Sequence, residues 1–151
     1  MTGASNRAKI EVRAALARDV LAIARLAGEL GYPSTQQDVR DRLAAMERNS
    51  CHATFVAVMN EEEVIGWIHL SEVHSLTSGP RAEITSLVVD SRTRSAGTGR
   101  LLVERGERWA RGRGLTVMGV RSNIIRERAH AFYLRLGYTV TKSQRVFRKT
   151  L

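Results

Sequence analysis

The stretch from Ala82 to Gly114 constrains the fold more than any other part of this chain. A strand-like run over Ala82–Val89 ends in the apolar triplet Leu87-Val88-Val89. A loop rich in Ser, Arg and Gly follows, Asp90-Ser91-Arg92-Thr93-Arg94-Ser95-Ala96-Gly97-Thr98-Gly99-Arg100, and leads into a helical pattern. There Gly99, Leu102, Val103, Gly106, Trp109 and Ala110 recur at i, i+3, i+4, i+7, i+10 and i+11. Such spacing puts them on one buried face and leaves Arg100, Glu104, Glu107, Arg108 and Arg111 for solvent. Gly112 and Gly114 close the helix.

The remaining elements can be placed around this unit. Lys9–Arg13 alternates as a strand. Asp19 is positioned to cap a helix carrying Val20, Ile23, Ala24, Ala27 and Leu30, which Gly31 and Pro33 end. Thr35 opens a second helix with Val39, Leu43 and Met46 on one stripe, and Asp38 three residues on completes a capping-box pattern. His52–Met59 and Val64–Val73, joined by the polar turn Asn60-Glu61-Glu62, predict an antiparallel hairpin. Leu115–Val120 reads as a strand, Arg126–Leu136 as a helix closed by Gly137, and short strands are expected around Val140 and Val146. The order β-α-α-β-β-β-α-β-α-β-β predicts an α+β (mixed α/β) fold, with a mixed, mostly antiparallel sheet flanked by about four helices. At 151 residues without repeat or linker, residues 1–151 are expected to form one domain.

The loop carries the first chemical signal. Its glycines let the backbone turn tightly and approach a ligand, and the helix start offers unpaired N–H groups at the positive end of the dipole. Arg94 and Arg100 flank this seat for phosphate. It is not a Walker loop, since Arg100 and Leu101 follow Gly99 where Lys and Ser/Thr would be required. Nor is it a dinucleotide fingerprint, which needs a third glycine. An ordinary strand-to-helix turn would look much the same.

Charge reinforces the signal. Residues 1–75 hold 8 Lys/Arg against 10 Asp/Glu, a net of −2, whereas residues 76–151 hold 16 against 5, a net of +11. Of the 24 basic residues 21 are Arg, whose forked guanidinium suits phosphate. An anionic partner is therefore expected at the second half. No apolar run is long enough for a membrane span, and MTGASNRAKIEVR lacks the apolar core of a signal peptide. Cys51 is alone, so no disulfide framework is expected, and a reducing cytoplasm is the expected compartment. His52, His69, His74 and His130 show no metal-ligand spacing, so no metal site is expected, although His69 and His74 could face an acceptor pocket.

Two segments together resemble a known family. Arg94-x-x-Gly97-x-Gly99 after a Leu-Val-Val strand resembles the acyl-CoA-binding motif of the GNAT superfamily of N-acetyltransferases. Ala129-His130-Ala131-Phe132-Tyr133-Leu134-Arg135-Leu136-Gly137-Tyr138 is similar to that family's second hallmark, and the element order matches along nearly the whole chain. The resemblance implies acetyl-CoA as co-substrate, with the backbone of Leu87, Val88 and Val89 along its pantetheine arm. The amides of Arg94, Ser95, Ala96, Gly97, Thr98, Gly99 and Arg100 would hold its pyrophosphate. Tyr133 falls where the family's general acid protonates the departing thiolate, and Glu83 where several members carry the base for the substrate amine. A stripe of Ala129, Phe132, Tyr133 and Leu136 is also what plain packing would give, and Glu72 or a water relay could replace Glu83.

Three departures from the pattern stand out: Ser95 in place of a glycine, Ser91 in place of a proline, and Arg126 where Asn is frequent. Asn123 could take over the pantetheine contact, or Arg126 could reach a phosphate. The implied reaction is direct acetyl transfer from acetyl-CoA to a primary amine, with a small-molecule acceptor as the leading reading. A protein or peptide acceptor is the alternative, and a CoA-binding sensor without turnover is a further one. A nucleic-acid-binding module is a reading of a different class, which the 5% aromatic content and missing motifs weigh against. Small members of the family often pair, which makes a homodimer an option.

Overall fold

The computed structural model describes residues 8–94 and 96–151. It divides into two compact units, residues 1–120 and 121–151. The first holds β1 (Ile10–Ala14), α1 (Val20–Glu29), α2 (Gln36–Glu47), β2 (His52–Met59), β3 (Glu63–Val73), β4 (Arg81–Val89), α3 (Thr98–Gly112) and β5 (Met118–Val120). The strands form one sheet in the order β1-β2-β3-β4-β5, antiparallel except for the parallel β4–β5 pair. This is the mixed, mostly antiparallel sheet that the element order predicts.

Strand alternation gives the sheet two apolar faces, and helices cover both. On one face Val56, Val58, Trp67 and Val88 pack with Val20, Ile23, Leu26 and Ala27 of α1 and Val39 and Leu43 of α2. On the other, α3 buries Leu102, Val103, Gly106 and Ala110, most of the stripe that its period predicts, and buries Thr98 as well. Close approach of α3 depends on a bare position in β3. A Cβ on Gly66 would stand 2.9 Å from the Val88 carbonyl oxygen and 3.2 Å from Leu102 Cδ1.

Local chemistry accounts for the helix starts, with one correction. The Thr35 hydroxyl accepts from Asp38 N–H at 3.0 Å while the Asp38 carboxylate accepts from Thr35 N–H at 3.0 Å, the reciprocal box that starts α2. Asp19, expected to cap α1 with its side chain, makes no such bond. Its carboxylate is buried and accepts from Arg13 at 2.7 and 2.9 Å and from Leu16 N–H at 2.8 Å. A salt bridge in a buried setting outcompetes a cap.

Residues 121–151 form the second unit, with α4 (Glu127–Arg135) as its helix. Gly137, in the left-handed region at φ 91°, follows it, and Tyr138 N–H donates to Tyr133 O at 3.0 Å. The strands expected around Val140 and Val146 do not form. Val140, Val146 and Phe147 are 77%, 83% and 88% exposed, and a strand exists only where a ladder partner takes its N–H and C=O groups. The expected strand over Leu115–Val120 shortens to Met118–Val120, because Leu115 instead packs with Ala82 and Ala110.

Candidate active site

Strand β4 is where the sheet opens. Its first half is paired on both edges: Ala82, Glu83 and Ile84 face Met118, Gly119 and Val120 of β5, and β3 runs along the other side. The β3–β4 register then shifts at His69/Leu70, leaving Thr85 as an inserted residue between Ile84 and Ser86. Beyond this bulge, Leu87, Val88 and Val89 remain paired with Ile68, Trp67 and Gly66 of β3, but no strand among the described residues pairs with their other edge. An unpaired edge in extended conformation presents N–H and C=O groups that an extended amide-bearing chain can complete as a strand would.

The same strand leads into the phosphate-type seat. Asp90 is fully buried and accepts from Arg92 Nη2 at 2.7 Å, from Arg92 Nε at 3.1 Å and from Arg92 N–H at 2.9 Å. Arg25 Nη1 of α1 lies 3.1 Å from its Oδ2. The Arg92 guanidinium beside it, with these further donors, outweighs burial and holds the carboxyl well below the usual carboxylate range. Ser91 N–H donates to Glu29 at 3.1 Å, and Arg92 reaches Glu63 at 3.1 Å. The start of the loop is thus tied to α1 and to the β2–β3 hairpin. Sequence reading missed this anchor, since Arg25, Glu29 and Glu63, which tie the Asp90–Arg92 pair to the rest of the fold, lie far from it along the chain.

At the loop's far end Gly97 is the residue before α3, with φ 81° and open space where a side chain would stand. That conformation costs Gly little and an L-residue roughly 1–2 kcal/mol, and the helix it starts has first-turn N–H groups with no partner inside the helix. No acidic residue lies in the first turn, so the 15-residue helix keeps the positive end of its dipole available. Arg94 is exposed and has no ion-pair partner among the described residues, whereas Arg100 is held by Glu104 at 2.7 Å. Ser95 lies outside the described residues. An open strand edge running into a glycine-started helix N-terminus fits the pantetheine arm and pyrophosphate of CoA.

The sheet face under α1 and α2 carries a second set of polar groups. His69 lies beside His52, Nε2 to Nδ1, at 3.1 Å with the rings stacked. Burial, with the neighbouring His52, pushes the His69 pKa down to about 4, so its imidazole is neutral at physiological pH. His69 and Ser86 line a cavity of about 200 Å³ with Ile23, Ala27, Leu43 and Trp67 among its apolar walls. Glu83 stands opposite Ser71 in the register and is bonded by Arg81 at 3.2 Å. Glu72, the other carboxylate considered as base, is gripped by Arg113 and lies 2.9 Å from His74. His74 is therefore committed to a carboxylate, while His69 faces the cavity.

In the second unit, Tyr133 makes edge-on ring contacts with Phe132 and Tyr138, and burial pushes its pKa up to about 12 against the opposing influence of Arg126. Its hydroxyl stays protonated throughout the physiological range. The Asn123 side-chain oxygen accepts from Ile125 N–H at 3.2 Å, and its backbone carbonyl lies 2.9 Å from His130 Nε2. Asn123 therefore shapes the turn before α4.

An open β4 edge that runs into a glycine-started helix N-terminus defines a protein of the acyl-CoA-binding kind. Residues 18–138 match the Acetyltransferase (GNAT) family, and the chain belongs to it. An aminoglycoside N(6')-acetyltransferase type 1 from Klebsiella aerogenes is 31% identical over 102 residues, 66% of this chain and 67% of that protein. A CoA complex of aminoglycoside N-acetyltransferase AAC(6')-Iy superposes with TM-score 0.87 at 16% identity, covering 97% of this chain and 99% of that one. A putative acetyltransferase from Agrobacterium tumefaciens superposes with TM-score 0.81 at 25% identity, covering 92% and 99%. The chain is an acetyl-CoA-dependent N-acetyltransferase with an α+β GNAT fold.

Proposed function

We propose that this enzyme acetylates a small-molecule primary amine in one direct transfer, and that residues 1–151 work as a single catalytic domain. The observation that carries the reading is the unpaired half of β4 leading into the Gly97 turn and the α3 N-terminus. The backbone of Leu87, Val88 and Val89 would complete its ladder with the amides of the pantetheine arm. The N–H groups of Ala96, Gly97, Thr98, Gly99 and Arg100, with those of Arg94 and Ser95, would take the pyrophosphate, and the Nδ2 amide of Asn123 a pantetheine oxygen. Continuity of the family match across residue 120 supports one working domain.

Each side chain then has a proton to handle. An ammonium has no lone pair, so Glu83, directly or through water, receives the proton that the acceptor must lose. The amine nitrogen forms a bond to the acetyl carbonyl carbon as the carbon–sulfur bond breaks. A backbone N–H near Val89 stabilises the charge that develops on the carbonyl oxygen. Tyr133 donates its hydroxyl proton to the departing thiolate. The aminoglycoside acetyltransferase relatives support a small-molecule acceptor over a protein one. A lone Cys51 supports a cytoplasmic setting, and no helix among the described residues is long and apolar enough to cross a membrane. A screen of primary amines with acetyl-CoA, reading free thiol, tests the proposal. Amine-dependent thiol release is expected, and thiol release only with peptide or protein acceptors would overturn the small-molecule assignment.

A further inference from the structure

The cavity beneath α1 and α2 carries chemistry that the relatives' names do not suggest. Ile23, Ala27, Leu30, Tyr32, Val39, Leu43, Met46 and Trp67 make its walls apolar, and its polar lining is Ser34, Arg42, Thr54, His69 and Ser86. No carboxylate is among these residues. Glu47 lines only the neighbouring cavity, and Asp38, one turn before Arg42, commits its carboxylate to the Thr35 N–H. The polar groups are divided between the two sides. Arg42 and Ser34, joined by a 3.1 Å hydrogen bond, belong to α2 and the segment before it, whereas His69 and Ser86 belong to β3 and β4. Ser86 adjoins the Leu87–Val89 edge.

Resting on the acetyltransferase reading above, we propose that this cavity is the acceptor site and that it takes a primary amine with a compact apolar body and a carboxylate at the far end. The amine meets His69 and Ser86 beside the acetyl group, the apolar body fills the space between helices and sheet, and Arg42 takes the carboxylate. A guanidinium pairs with a carboxylate through two parallel hydrogen bonds. His69, uncharged, does not repel an ammonium and can accept a hydrogen bond from it through a ring nitrogen. A volume of about 200 Å³ falls below the ~300–1,000 Å³ usual for drug-sized ligands and suits a single ring or a short branched chain. A polycation of the aminoglycoside kind would bring several ammonium groups to a lining whose one charged side chain is the Arg42 guanidinium, a like charge that selects against it.

The test uses the intact enzyme with acetyl-CoA and three acceptors: 4-(aminomethyl)benzoate, benzylamine, which has the same body without the carboxylate, and kanamycin. The expected order of kcat/KM is 4-(aminomethyl)benzoate, then benzylamine, then kanamycin. Arg42→Gln should raise KM for 4-(aminomethyl)benzoate by about tenfold, the loss of one charge-assisted pair, and leave benzylamine within about twofold. Kanamycin as the best acceptor, or equal effects of Arg42→Gln on both benzyl amines, would overturn the proposal. Thermal protection by acetyl-CoA without thiol release from any of the three would overturn the acceptor class alone. Absence of that protection as well would overturn the acetyltransferase reading beneath it.

Discussion

The buried carboxylate of Asp90 accepts two side-chain hydrogen bonds from Arg92, Nη2 to Oδ2 at 2.7 Å and Nε to Oδ1 at 3.1 Å, so the first turn of the loop is locked to the end of β4. Removing Asp90 takes away the carboxylate that ties Arg92 and Arg25 to the end of β4, and losing such charge-assisted hydrogen bonds costs about 1.5–3 kcal/mol. Asp90→Ala should therefore lower the melting temperature and raise KM for acetyl-CoA. Thermal unfolding and steady-state kinetics check both, and an unchanged KM would separate the pair from the loop's function. Because this pKa is lowered, the stabilisation is complete above the ordinary carboxylate range and lost only as pH falls through the lowered value.

His69 gives a second pH dependence of the same sign, set in a higher pH window. Its pKa falls from 6.5 to about 4 on folding, so the native state resists protonation that the unfolded chain accepts. The stabilisation is complete above pH 6.5 and is lost between there and pH 4, up to about 3 kcal/mol. Chemical denaturation at pH 7 and pH 4.5 should show a smaller loss for His69→Gln than for the wild-type chain. Equal losses would mean that another group carries the acid sensitivity.

Gly66 is bare for a steric reason that reaches the site. A Cβ there would meet the Val88 carbonyl oxygen at 2.9 Å, and backbone cannot yield as a side-chain tip does. Gly66→Ala should cost about 1–3 kcal/mol and weaken acetyl-CoA binding by displacing the open edge of β4. Comparing its unfolding midpoint and its affinity for acetyl-CoA with those of the wild-type chain checks both effects.

In the proposed reaction Tyr133 is the acid. With its pKa raised to about 12, the hydroxyl keeps its proton at physiological pH, and Tyr133→Phe removes the proton while keeping the ring. A fall in kcat of about 100-fold is expected, with KM for acetyl-CoA nearly unchanged. An unaffected rate across pH would remove Tyr133 from the mechanism.

What was legible in the sequence follows from range. His52–Met59, the Thr35–Asp38 box and most of the α3 stripe rest on neighbours within a few residues, and each forms as its pattern predicts. The Arg94-x-x-Gly97-x-Gly99 segment is similarly local, and Gly97 adopts the conformation that only glycine takes easily. The Asp90 anchor depends on Arg25, Glu29 and Glu63, the His52–His69 contact on two separate strands, and the β4 bulge on register. No periodicity records such pairings. Asp19 misled for the same reason, because Arg13 engages it across the β1–α1 connection. Val140 and Val146 have strand-forming side chains, but propensity cannot supply a ladder partner.

The claim on which all of this turns is that the β4 edge and the Gly97 turn hold acetyl-CoA. Thermal unfolding with and without acetyl-CoA, for the wild-type chain beside Gly97→Val, tests it most directly. At a hundredfold excess over Kd a bound ligand adds about 2.7 kcal/mol of stability, so a clear rise in Tm is predicted for the wild-type chain. Gly97→Val, which cannot take φ 81° without strain, should show little or no rise. Equal rises in the two proteins, or none in the wild-type chain, would contradict the account.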